Sequence, residues 1–290
     1  MNKYIYLILC ILFLTTGCSR PPKDVVASVD DEYITEEEYN PYKEELEKLS
    51  LGDIKFSSSE TSAIEGLVDR KIVDREFKKA GFTFDESEFK NFKASYIEKT
   101  IGEDAFNEFS EYKSLNKNVL DDFLINKFKI DKLKEKFAKE FNLTDDNLRN
   151  EYQNKSAKYD SYKVQFIFMK DLEKMKENVL PMNYGLDILA TLYSEEPVSA
   201  SNGGIVDEYH IGEKEPKFDL TIQSLDRGET SDIVETKNGY YIIKLIDINS
   251  GYENHKEAVR NNLIDINFKH YMDNIRRNAK VKIYRDLTTE

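Results

Sequence analysis

Few side chains in this sequence carry reactive chemistry of their own. Cysteine occurs twice, at Cys10 and Cys18, and histidine three times, at His210, His255 and His270. Because no cysteine follows Cys18, the body of the protein can hold neither a structural disulfide nor a cysteine metal site. Three scattered histidines offer no zinc-ligand spacing and no Cys–His pair for nucleophilic catalysis. His210 falls in a loop and His255 and His270 on a terminal helix, so each reads as a surface or packing residue. No metal and no cofactor is expected.

Cys18 is the exception, because of what precedes it. Lys3 provides a positive start, Ile5 to Leu14 form an apolar run, and Thr15-Thr16-Gly17 lead into the thiol. This is the layout of a secretory signal. The run is shorter than the roughly 20 apolar residues that a transmembrane helix needs. Small residues directly before a cysteine resemble a lipobox, although Thr15 stands where Leu is usual and Leu14 lies one residue further out. The resemblance implies cleavage before Cys18 and lipidation of its thiol. Residues 1–17 are then a signal peptide and residues 18–24, with Pro21-Pro22, a short tether.

The elements behind this start follow from polarity periods and caps. The chain has 290 residues, a net charge of −13 and 40% hydrophobic residues, with 18 Tyr, 17 Phe and no Trp. The acidity argues against nucleic-acid binding, and apolar contact must come from Phe, Tyr, Ile and Leu. Val25–Val29 reads as a strand returning through Tyr33-Ile34, and Thr35 with Glu38 forms a capping box. A helix over about Thr61–Ala80 carries Ile64, Leu67, Val68 and Ile72 on one face, with Gly81 as its cap. Asp85 opens another helix. A long helix covers about Leu115–Phe141, and Thr144 caps the next, which runs to about Asn154. Tyr162–Met169 is predicted as a strand, Asp171–Tyr193 as helical with a break at Pro181, and Ser199–Gly204 as a loop. Ser231–Val234 and Tyr240–Ile246 are strands around a turn at Lys237-Asn238-Gly239. A helix over about Glu253–Asn278 precedes a last strand, Val281–Tyr284.

Between Tyr162 and Asp247 a series of short motifs appears in a fixed order. These are Tyr193-Ser194 with Glu196-Pro197, Asn202-Gly203-Gly204, Pro216-Lys217-Phe218, Leu225 with Gly228-Glu229 and Ser231, and Gly239-Tyr240-Tyr241-Ile242-Ile243-Lys244. Together they resemble a parvulin (rotamase) domain. The flanks, from Val25 to Tyr39, at Leu67-Val68-Asp69-Arg70-Lys71 and from Ala279 to Tyr284, are similar to SurA- and PrsA-type foldases. The resemblance implies an α+β protein: a mainly helical chaperone domain built from residues 25–157 and 251–290, with an inserted parvulin-like α/β domain at 158–250. It also implies that strands Val25–Val29 and Val281–Tyr284 lie close.

Rotation about an X-Pro bond faces a barrier of about 18–20 kcal/mol. The resemblance implies that a parvulin lowers it with two histidines and a Cys or Asp around the twisting amide, since imidazole donates and accepts hydrogen bonds at once. Here Phe166 stands at the first histidine position, Tyr241 at the second and Glu196 at the acidic one. In the proline pocket Phe218 is retained, Lys214 falls at the usual Met and Gln223 at the second Phe. Little or no isomerase activity is therefore expected, with weak residual activity resting on Glu196, Tyr241 and Phe218. Client polypeptides are expected to bind aromatic helices, with Phe89, Phe92, Phe106, Phe109 and Tyr112 as the candidates. The leading reading is an extracytoplasmic, lipid-anchored chaperone for unfolded secreted or outer-membrane polypeptides. A working peptidyl-prolyl isomerase and a surface scaffold or adhesin are the alternatives.

Overall fold

The computed structural model describes residues 23–46, 50–51, 54–55, 59–102 and 117–285. Cys18, Phe106, Phe109 and Tyr112 lie outside the described residues, as does the signal-like start. The chain divides into two compact units, one of Met1–Lys136 with His270–Glu290 and one of Phe137–Lys269. The second unit is larger than the insert expected at 158–250, because residues 137–157 and 251–269 cluster with it rather than with the first.

In the first unit, β1 (Val25–Val29) pairs antiparallel with β2 (Glu32–Thr35) on one edge and with β9 (Val281–Ile283) on the other. The first and last described strands thus lie side by side in one sheet, as expected, with Ala27 opposite Ile283. α1 (Glu36–Leu46) opens on the expected capping box: the Thr35 amide donates to Glu38 Oε2 at 3.0 Å and the Glu38 amide to Thr35 Oγ1 at 3.4 Å. A short hairpin, β3 (Ser50–Leu51) and β4 (Ile54–Lys55), follows. α2 (Glu60–Lys79) buries Ile64, Leu67, Val68 and Ile72 against Val26, Ala27, Ile34 and Tyr39. Gly81 follows it with φ +82°, the left-handed conformation that glycine adopts without a Cβ penalty.

α3 (Glu86–Tyr96), capped by Asp85, runs into a π-helical turn over Ile97–Ile101 that the sequence pattern does not reveal. α4 (Lys117–Glu140) follows. Phe89 is buried with Phe77, Leu124 and Phe128, and Phe92 packs half-buried on the same cluster, its ring centroid 5.6 Å from that of Phe128.

In the second unit the end of α4 is followed by α5 (Asp145–Tyr159), which Thr144 and Asn147 cap reciprocally. This helix outruns the expected end at Asn154 because it continues past a kink at Lys155, where φ is −137° and ψ 30°. β5 (Ser161–Met169), α6 (Leu172–Asn178) and α7 (Leu186–Tyr193) come next, the two helices separated around Pro181 as expected. α8 (Pro197–Ala200) makes one helical turn where a loop was expected from Ser199 on: Pro197 pre-sets the first φ and Glu196 caps the turn. β6 (Ile205–Tyr209) and α9 (Pro216–Ser224) were not anticipated as elements. β7 is only Val234–Glu235, while β8 extends over Tyr240–Asn249. The expected Ser231–Val234 strand is shorter because Thr230 makes only an isolated bridge to Lys244. α10 (Tyr252–Asn278) carries the chain back toward β9.

These strands form an antiparallel sheet in the order β6-β5-β8-β7. Alternation puts Val164, Phe166 and Phe168 of β5 with Tyr241, Ile243 and Leu245 of β8 on one face. Ile167, Met169 and Ile242 line the other face, under α6 and α7. α9 covers the first face with Phe218 and Ile222, one turn apart and both fully buried. His255 is buried as a packing residue, its ring stacked on Tyr152 at 6.0 Å and its Nε2 3.1 Å from the Asn249 carbonyl oxygen. His210 Nδ1 lies 2.8 Å from the Asp160 carbonyl oxygen, and His270 is exposed.

Candidate functional site

On the α9-covered face the register sets Phe168 directly opposite Tyr241 and Phe166 opposite Ile243. Phe166 and Tyr241 are therefore diagonal neighbours, within reach of each other's rings. Their centroids are 5.7 Å apart, and Phe218 reaches in from α9 to 5.4 Å from Phe166 and 4.9 Å from Tyr241. All three pairs are edge-on, the arrangement that ring quadrupoles favour. Lys214 lies over this floor, its Nζ 4.9 Å from the Phe166 centroid and 5.8 Å from that of Phe218. That is a cation–π contact.

A polar network fixes the loop that brings Lys214 here. The Tyr209 hydroxyl donates to Asp219 Oδ1 and accepts the Lys214 amide at 3.1 Å, while the Gly212 amide donates to Asp219 Oδ2 at 3.0 Å. Asp219 is itself buried on α9. Burial, then the bond to Asp219, holds the Tyr209 hydroxyl far above its ordinary range, so it stays a donor. Neither Tyr209 nor Asp219 was singled out from sequence.

Glu196 caps α8. Its Oε2 accepts the Ser199 amide at 2.7 Å and also the Ser199 hydroxyl. Burial opposes its ionisation, but the two Ser199 bonds and the charge of Lys214 outweigh that and lower its pKa. Tyr241 is 6% exposed, and its hydroxyl has no protein hydrogen-bond partner among the described residues. Burial, then the charges of Glu215 and Glu196, push that hydroxyl up to about 12. It is thus a neutral donor throughout the physiological range, and no histidine lies in the cluster.

The structure brings Phe166, Tyr241, Phe218 and Lys214 into one cluster, with Glu196 acting on it through charge. Gln223 stands apart: it is exposed on α9, beside the Tyr162 hydroxyl. Phe89 and Phe92 belong to the aromatic core of the first unit rather than to this cluster. Exposed apolar groups of the second unit, not singled out from sequence, include Tyr184 at 58%, Leu192 at 60% and Val198 at 78%. Among the described residues no group of three His, Cys, Asp or Glu could hold a metal ion, and no helix is long and apolar enough to cross a membrane.

The family model of the rotamase, PPIC-type PPIASE domain matches residues 167–247. This segment is similar to PPIC-type domains. The match covers the last three residues of β5, then α6 to α9, and β8 through Asp247, so it contains the whole cluster except Phe166, one residue before its start. The chain is 26% identical over 269 residues to "Foldase protein PrsA" of Caldanaerobacter subterraneus subsp. tengcongensis, covering 84% of this chain and 82% of that one. To "Foldase protein PrsA" of Geobacillus kaustophilus it is 28% identical over 240 residues, covering 81% and 75%. A solved structure of foldase protein PrsA from Lactococcus lactis aligns over 90% of this chain and 95% of that one, at 12% identity and a TM-score of 0.48. The likeness to PrsA-type foldases read from the motifs is borne out by the family-model match and the curated relatives.

The raised Tyr241 pKa carries a stability consequence. The folded state keeps this proton to about pH 12, whereas an unfolded tyrosine releases it near pH 10. The contribution is complete below pH 10 and is lost as pH rises toward 12. Tyr241→Phe should therefore gain melting temperature relative to the parent over that window, in thermal scans at stepped pH. A difference between the two proteins that stays constant from pH 9 to 12 contradicts the assignment.

Proposed function

We propose that this chain is an extracytoplasmic, lipid-anchored chaperone that binds unfolded secreted polypeptides, and that its PPIC-type domain has little isomerase activity. The observation that carries this reading is the Phe166–Phe218–Tyr241 cluster. It fills with buried rings and a single phenolic hydroxyl the place where rotamase chemistry would use a donor–acceptor pair. One net hydrogen bond supplies about 0.5–1.5 kcal/mol, and tenfold in rate takes about 1.4 kcal/mol. A lone Tyr241 donor thus accelerates prolyl rotation by about tenfold at most. Holding a chain asks less: aromatic and aliphatic surface with a polar rim, little of it sequence-selective. The exposed Tyr184, Ile188 and Leu192 offer such apolar area on and beside α7. The signal-like start with Cys18 supports export and anchoring, and the likeness to proteins named PrsA foldase supports a role in folding.

The test is suppression of aggregation. A denatured secreted protein diluted into buffer should scatter less light when the chain is present at equimolar amounts, with no nucleotide added. Unchanged scattering at equimolar chain speaks against client binding. Labelling cells with a radioactive fatty acid tests the anchor: the parent should take up label and Cys18→Ser should not, whereas label retained in Cys18→Ser contradicts it.

A further inference from the structure

The sequence contains Asn-Gly twice, at Asn202-Gly203 and at Asn238-Gly239. Both asparagines are exposed, so solvent reaches both side chains. An asparagine followed by glycine can lose its side-chain amide. The next backbone nitrogen closes a five-membered ring on Cγ, and glycine has no side chain to hinder that approach. Whether the reaction proceeds in a folded chain depends on what holds the two reacting groups, and the fold holds the two pairs differently.

At Asn202 both groups are tied. The Gly203 amide, which would be the nucleophile, donates to the Ala200 carbonyl oxygen at 3.1 Å. Asn202 Nδ2, which would leave, donates to the Ile205 carbonyl oxygen at 3.3 Å. Gln165 Nε2 donates to the Gly203 carbonyl oxygen at 2.8 Å and fastens the turn to β5. At Asn238 neither group is tied: the Gly239 amide and the Asn238 side-chain amide make no hydrogen bond among the described residues. This turn is held by other atoms. The Thr236 amide and hydroxyl donate to the Gly239 carbonyl oxygen at 2.8 and 2.9 Å, and the Asn238 backbone amide donates to Thr236 Oγ1 at 3.3 Å. Glycine is also required after Asn238, because a Cβ at Gly239 would come within 2.6 Å of the Met169 carbonyl oxygen.

We propose that Asn238 is a site of spontaneous modification, converted to aspartate and isoaspartate in the folded protein, while the fold protects Asn202. The deprotonated Gly239 nitrogen attacks Asn238 Cγ. The N–Cγ bond forms, the Cγ–Nδ2 bond breaks, and Nδ2 leaves as ammonia with a proton taken from water. Water, the only co-reactant, then opens the cyclic imide. Opening at Cγ gives aspartate; opening at the main-chain carbonyl gives isoaspartate, whose backbone runs through the side chain and gains one methylene. Either product adds a negative charge next to Lys237. Isoaspartate also lengthens the turn that sets Val234 opposite Tyr241. The product accumulates with the age of each molecule, so old copies carry a looser β7–β8 turn.

The experiment ages the full chain at mildly alkaline pH, folded and in denaturant, and maps both sites by mass spectrometry after digestion in acid. Labelling by isoaspartyl methyltransferase separates the two products. In the folded chain Asn238 should convert about tenfold faster than Asn202 or more, since reaction at Asn202 must first break two hydrogen bonds. In denaturant the two rates should become similar. Asn238→Gln, which would need a six-membered ring, should stay unlabelled at that position. The isolated isoaspartate form should exchange its β7 amides faster than the parent. Equal conversion of the two asparagines in the folded chain overturns the proposal, as does a folded Asn238 that stays intact while the denatured one reacts. A rate difference that persists unchanged in denaturant overturns the assignment to the fold. Unaltered exchange in β7 overturns the loosening of the turn.

Discussion

Phe218→Ala should destabilise the second unit by about 3–5 kcal/mol, the range for emptying a fully buried phenylalanine site. Phe218 is 0% exposed and makes edge-on contacts with Phe166, Tyr209 and Tyr241, at centroid distances of 5.4, 5.4 and 4.9 Å. α9 has only nine residues, too few to hold together alone. Phe218 and Ile222 are the apolar side chains that fasten it to the sheet. Removing the first therefore takes away a ring and loosens the helix whose start places Lys214 and Glu215. Hydrogen exchange at the amides of β5 and β8 reports this unit alone, which a whole-chain melt does not. Exchange faster by two to three orders of magnitude is the expected result. A change under tenfold means that the cluster is not the core of this unit.

Gly204→Ala is expected to cost about 2–5 kcal/mol, and through a different mechanism. Gly204 has φ +78°, where an L side chain adds strain of about 1–2 kcal/mol. A Cβ there would also collide with the Phe166 carbonyl oxygen and come within 2.8 Å of Ala190 Cβ. Such overpacking adds about 1–3 kcal/mol. The Gly204 carbonyl accepts the Phe166 amide at 2.9 Å, so a shift of the turn is felt at the site itself. Gly212 is the control: its φ is +104°, yet a Cβ there has nothing within 4 Å. If Gly212→Ala costs as much as Gly204→Ala, the close approach to β5 is not the cause. The same exchange measurement, or urea denaturation followed by tyrosine fluorescence, separates the two variants.

Much of this architecture could be read from local patterns, and the reasons are specific. β1, α2 and β8 have long apolar periods, and Thr35–Glu38 and Thr144 act through hydrogen bonds that span three residues, so no tertiary information was needed. The meeting of β1 with β9 came from resemblance, because nothing local links residues about 250 positions apart. α8 was read as loop because a single turn has no period; only Pro197 and the Glu196 cap mark it. α9 escaped notice because just Phe218 and Ile222 define its buried face.

At the site, Phe166, Tyr241 and Phe218 were named from their motif positions, and they do meet. Lys214 was placed by loose alignment in the proline pocket, and the structure sets its ammonium on the rings of Phe166 and Phe218. Glu215 and the Tyr209–Asp219 network were missed. Their significance lies in partners across the fold and in burial, neither of which has a one-dimensional signal. Gln223 shares α9 with Phe218 but sits five positions on, at a 500° turn from it on a helix of about 100° per residue. That rotation takes it off the buried face.

The central claim is that this chain binds polypeptide while its buried aromatic cluster does little to speed prolyl rotation. It is tested most directly by measuring cis–trans exchange of an Ala-Lys-Pro-Phe peptide by NMR, with and without the purified chain at concentrations where the peptide is bound. The account predicts clear binding and an exchange rate within about tenfold of the uncatalysed one. Exchange hundreds of times faster, and lost on Glu196→Ala or Tyr241→Phe, would contradict it.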